Sequence, residues 1–142
     1  MGQTLKKDTP LHVINNMSKN TMLETLDIEV TEVGDDYLIG TMPVDHRTKQ
    51  PAGLLHGGAS CTLIESLGSI GSTLVVDFKT HNIVGIEINA NHVRSATEGV
   101  ITGVAKLVHG GRKIHIWQVD IHNNENKLIC TGRLTVMVIP KK

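Results

Sequence analysis

The stretch QPAGLLHGGASCTLIESLGSIGSTLV, residues 50–75, decides how this chain folds. It starts as a loop of turn formers and changes at Gly57 to an apolar repeat in which Leu63, Ile64, Leu67, Ile70 and Leu74 recur at steps of three and four. That spacing predicts a helix over 57–75. A second stripe of the same period is polar: Thr62, Glu65, Ser69 and Ser72. Three interior glycines, Gly58, Gly68 and Gly71, each cost such a helix about 1 kcal/mol relative to alanine. The expectation is that other backbone approaches the helix closely enough to exclude a side chain.

On the N-terminal side, Leu11, Ile14, Met17 and Leu23 lie at roughly helical spacing and predict one or two short helices within 11–25. Two extended runs follow, LDIEVTEV (26–33) and DYLIGTMPV (36–44), joined through Gly34-Asp35-Asp36 as a hairpin. Beyond the long helix the pattern is β throughout, over 83–94, 99–109, 112–123 and 127–139, broken at TEG, GG and NNEN. One long helix with about six antiparallel strands is an α+β domain, a curved sheet wrapped around a central helix, occupying residues 1–142 as a single unit. Such a sheet has edge strands, and pairing them across a two-fold axis covers them, so the expected state is a dimer at least.

Lys plus Arg and Asp plus Glu balance at 14 each, which gives no basic surface for nucleic acid. With only Tyr37, Phe78 and Trp117 as aromatics, neither base stacking nor an aromatic cage is expected, and Trp117 is expected in the core or at an interface. No apolar run reaches the ~20 residues of a membrane span, and the first ten residues carry no secretory apolar segment. Cys61 and Cys130 sit in apolar periodic segments and read as unpaired core thiols of a cytoplasmic protein. The eight histidines show no metal-ligand spacing, so no metal is expected. His115 and His122 are assigned to the sheet surface, His12, His46 and His81 to solvent, and Lys141-Lys142 to a solvated tail.

The chemistry concentrates at the loop–helix junction. His56, Gly57 and Gly58 fall where the first N–H groups of a helix lack acceptors and the dipole is positive, a setting for a developing oxyanion. Glu65 lies two turns on, with Ser69 a turn beyond it, and Gln50 projects from the preceding loop. A carbonyl polarised at the junction can be attacked by a carboxylate, or by water that the carboxylate activates.

HRTKQPAGLLHGGASCTLIESLGS followed by GIEINANHVRSATEG resembles the hotdog-fold acyl-CoA thioesterases of the phenylacetate-operon type, and especially the branch acting on 1,4-dihydroxy-2-naphthoyl-CoA and related aroyl-CoA thioesters. The resemblance runs from about residue 22 to 139. It implies Glu65 as nucleophile or general base, the Gly57 N–H as oxyanion donor with His56 beside the carbonyl, Gln50 as a positioning group and Ser69 near the hydrolytic site. It further implies that His92 reaches the acyl group across a dimer interface. Val93, Arg94 and Ser95, together with His109, Gly110, Gly111, Arg112 and Lys113, would form the surface for the coenzyme A arm. Coenzyme A enters as part of the substrate, with no separate cofactor, and the assembly implied is a homodimer with shared sites that pairs into a homotetramer. Two other uses of the same polarised carbonyl stay open at this point: hydration or dehydration of an acyl thioester, and non-catalytic acyl-CoA binding.

Overall fold

A computed structural model describes residues 2–142. In chain order the elements are α1 (Leu11–Asn16), α2 (Met22–Thr25), β1 (Glu29–Val33), β2 (Tyr37–Pro43), α3 (Gly57–Val75), β3 (His81–His92), β4 (Val100–Gly110), β5 (Ile114–His122) and β6 (Leu128–Pro140). Helix α3 fills the predicted span. Strand β3 begins two residues early because the turn before it closes on itself, Thr80 N–H and His81 N–H both donating to Asp77 O at 3.0 and 2.9 Å.

All six strands pair antiparallel in the order β1-β2-β4-β5-β6-β3, which leaves β1 and β3 as the edges. Alternation along the strands turns Leu38 and Met42 of β2, Ile101 and Ala105 of β4, Trp117, Val119 and Ile121 of β5, and Leu134 and Val136 of β6 onto one face. That face closes over Leu63, Ile64, Leu67 and Leu74 of α3 to form the core. Cys130 is buried in it, which pushes its thiol up to about 11, and Cys61 is half-buried.

The helix glycines have a different cause from the one expected. Side chains approach them, not backbone: a methyl group on Gly68 would stand 2.5 Å from Leu134 Cδ2, and one on Gly71 would collide with the Trp117 ring. The sheet returns the arrangement. Paired Gly40 and Gly103 leave the hollow that Leu67 enters.

The expected place of His115 is corrected, and its burial is shared with Ser72. Ser72, on the polar stripe of α3, is fully buried, and Trp117 Nε1–H donates to its Oγ at 2.9 Å. His115 is equally buried, with Nδ1 2.9 Å from Ser72 Oγ and Nε2 3.2 Å from Gln3 Oε1. The alternation of β5 puts it on the same face as Trp117. Lys141 and Lys142 are exposed, and Lys141 is tied back to the turn before β3: its N–H donates to Thr80 O at 2.8 Å and its ammonium lies over the Phe78 ring.

Candidate active site

The loop between β2 and α3 is held from beneath by Thr48, 1 % exposed, whose hydroxyl donates to Pro43 O at 2.9 Å and accepts from Asp45 N–H at 3.1 Å. Its carbonyl accepts His56 N–H at 2.8 Å, which fixes where α3 starts. Arg47 forks onto the Asp45 carboxylate, at 3.1 Å from Nε and 2.7 Å from Nη2, and also donates to Thr25 O at 3.2 Å. That guanidinium holds the Asp45 carboxyl down to about 2. Sequence reading missed Thr48 and the Asp45–Arg47 pair; the signal available was a threonine three residues after an aspartate in a polar loop, the composition of a closed turn.

The Gly57 N–H opens the helix without an intrahelical acceptor, and no other described group takes it. A methyl group on Gly57 would lie 2.8 Å from His92 Nε2, so the His92 ring rests on the helix start of its own chain. Strand β3 ends beside the N-terminus of α3 and delivers His92 to it within one chain. Leu55 N–H donates to Ala96 O at 2.8 Å, tying the loop to the segment after β3. Between them lies a cavity of about 430 Å³ lined by Gln50, Gly57, His92, Val93, Arg94 and Ser95 among others. Gln50 Oε1 accepts the Ala52 N–H, which leaves its amide NH₂ as a donor.

His56 is placed differently from the expectation. Its Nδ1 accepts Gly58 N–H at 2.8 Å, so the ring is the N-cap of α3, and it borders a neighbouring cavity of about 310 Å³ with Met22, Leu26, Arg47 and Thr62. With Nδ1 an acceptor, the neutral ring carries its proton on Nε2.

Glu65 is half-buried and makes no hydrogen bond or ion pair among the described residues. Burial therefore raises its pKa with nothing to oppose the shift. Eight residues separate it from Gly57, about 12 Å along one helix. A single chain thus does not hold one carbonyl against both groups. Ser69, half-buried, follows one turn beyond.

The HGGRK turn is also separated from the rest. Gly111 and Arg112 border a cavity of about 240 Å³ with Gln3, Val76, Asp77 and His81, beyond the C-terminal end of α3. The helix between the two ends is about 28 Å long, so one chain does not join His109, Gly110, Gly111, Arg112 and Lys113 to Arg94 and Ser95 in one surface. The reason is topological: the β4–β5 turn and the end of β3 project from opposite ends of the sheet.

Residues 52–130 match the thioesterase superfamily. The chain is 47 % identical over 134 residues, 94 % of its length and 98 % of the other's, to 1,4-dihydroxy-2-naphthoyl-CoA hydrolase of Escherichia coli. It is 42 % identical to the proofreading thioesterase EntH of Cronobacter turicensis, with 94 % and 97 % of the two chains covered. The crystal structure of a mutant thioesterase from Pseudomonas aeruginosa superposes with a TM-score of 0.94 at 42 % identity, covering 96 % of this chain and 99 % of that one.

Proposed function

The chain belongs to the thioesterase superfamily, with the hotdog fold and thioester hydrolysis as its activity, and from that premise we propose that its substrate is an aroyl-CoA of the 1,4-dihydroxy-2-naphthoyl type. The products are the free carboxylic acid and coenzyme A. The observation that carries the reading is the open Gly57 N–H at the mouth of a positive helix end, facing a cavity large enough for a thioester carbonyl and its arm. The carbonyl oxygen accepts from Gly57 N–H with Gln50 positioning it. Glu65 either takes a proton from water as it adds to the carbonyl carbon or adds itself to form a mixed anhydride. On either route the C–S bond breaks and the leaving thiolate takes a proton to become free coenzyme A; on the second, a water then hydrolyses the mixed anhydride, which releases the carboxylic acid and returns Glu65.

The 12 Å between Gly57 and Glu65 supports a site assembled from two copies. Edge strand β3 supports the same assembly, since Val84, Ile86 and Ile88 on it are 44, 50 and 36 % exposed. Two-fold pairing of β3 brings the Glu65 side of one helix towards the partner's helix start. Exposed Met137 and Ile139, on the outer face of β6, are the apolar surface on which two dimers would meet as a homotetramer. Unpaired Cys61 and Cys130 fit a reducing cytoplasm. The steps use no metal or redox cofactor.

The test is thiol release from a panel of aroyl- and alkanoyl-CoA esters, scored by kcat/KM. Aroyl esters should lead the panel, and Glu65→Gln should lose ~10²-fold or more in kcat. Hydration of 2-enoyl-CoA without thiol release, or undiminished turnover by Glu65→Gln, would overturn the reading.

A further inference from the structure

Strand β3 carries a glycine, Gly85, at its bulge: the ladder with β6 is regular up to Gly85↔Val136 and resumes one residue displaced at Glu87↔Thr135. Glycine inside a strand weakens it and calls for a local reason. Backbone conformation is not that reason, because Gly85 is not among the positive-φ glycines, which are Gly53 and Gly99. Packing against the core is not the reason either. The three atoms nearest to a methyl group built on Gly85 all belong to one side chain, Glu65: its Oε1, in collision, its Cδ at 3.2 Å and its Oε2 at 3.6 Å. Val136, its partner across the ladder, is fully buried, so Gly85 shares the helix-facing side of the sheet.

We propose that Gly85 is a positioning residue for hydrolysis: its missing side chain and the adjoining bulge form a notch that seats the Glu65 carboxylate against β3. This rests on the reading of Glu65 as the group that attacks or activates water. Among the described residues the carboxylate has no hydrogen bond or ion pair to hold it, so the shape of the notch is the restraint on its rotamer. Bulges beside reacting groups commonly re-aim a side chain in this way. Any side chain at 85 takes the space occupied by Oε1 and turns the carboxylate outward. Displacement by about 1 Å is enough to lower turnover by ~10²-fold.

The experiment compares wild type, Gly85→Ala, Glu65→Asp, the double variant Glu65→Asp/Gly85→Ala and Glu65→Gln, with benzoyl-CoA as the probe. Gly85→Ala should lose ~10²-fold in kcat with KM within about twofold, an unchanged elution volume and an unchanged melting temperature. Aspartate retracts the carboxylate by one methylene and leaves room for the methyl group. The alanine penalty in the Glu65→Asp background should therefore shrink at least ~10-fold, a non-additivity that a structural defect would not produce. The acid limb of the kcat/KM profile of Gly85→Ala should move down towards the ordinary carboxylate range as the group turns to solvent. An equal penalty in both backgrounds, or kcat of Gly85→Ala within about twofold of wild type while Glu65→Gln is inactive, overturns the notch alone. An active Glu65→Gln overturns the reading beneath it.

Discussion

Replacing Ser72 with alanine should be among the most damaging single-atom deletions in the fold. Ser72 Oγ accepts from Trp117 Nε1–H at 2.9 Å and stands 2.9 Å from His115 Nδ1, and all three side chains are fully buried. Gln3 Oε1, an acceptor, lies 3.2 Å from His115 Nε2, which puts the imidazole proton on Nε2 and leaves Nδ1 to accept the serine proton. Ser72→Ala strands both the indole N–H and the imidazole nitrogen where water does not reach. Each stranded group costs about 1–3 kcal/mol, against a gain of roughly 0.5 kcal/mol in helix propensity. A net loss of ~3 kcal/mol corresponds to a melting temperature lower by roughly 10 °C in a domain of this size. Denaturant unfolding at fixed protomer concentration reads it directly, and the Trp117→Phe background, which has no indole donor, should shrink the loss by ~1 kcal/mol. A Ser72→Ala stability within about 0.5 kcal/mol of wild type would refute the assignment of this buried chain of hydrogen bonds.

Two pH dependences follow from the buried titratable groups. Burial pushes His115 below the ordinary histidine value of about 6.5, against a hydrogen bond to the Gly111 backbone that raises it and with the charge of His109 adding to the fall. The unfolded chain then binds more protons than the folded one, and stability falls as pH drops from about 6.5 towards the lower folded value; His115→Gln should flatten that slope in unfolding titrations, and an unchanged slope would count against it. Glu65 is shifted the other way, upward by burial. The folded chain therefore binds more protons above the ordinary glutamate value of about 4.3, so the carboxylate weakens the fold as pH rises through that window. Glu65→Gln should be more stable than wild type near neutral pH and equal to it in acid; a less stable variant at neutral pH would contradict this.

The long helix and its sheet were legible because period and punctuation agree there: apolar steps of three and four over 57–75, strands bounded by Gly34, Gly110 and Asn123 to Asn126. The places of Gly57 and Glu65 on the helix were legible, since they follow from chain position alone. What stayed hidden depends on partners far apart in sequence. The burial of His115 needs Ser72, 43 residues away, and the N-terminal Gln3. Gly68 and Gly71 announce a close approach without saying whether backbone or the Trp117 ring makes it. The role of His56 as a cap, and the distance from Arg94 to Arg112, likewise appear only when the ends of the sheet are placed in space.

In the proposed dimer one hydrolytic site joins Glu65 of one copy to the Gly57 end of the other, and mixing of subunits decides it. Glu65→Gln chains and Gly57→Pro chains, each inactive alone, are unfolded together at equal amounts, refolded and assayed for thiol release. Proline at a helix's first turn keeps the helix and removes the donor N–H. Half of the dimers are then mixed, each with one intact shared site, so activity should return to about a quarter of wild type. Activity no higher than that of the separate variants, with mixed dimers shown to be present, would rule out a site shared between copies.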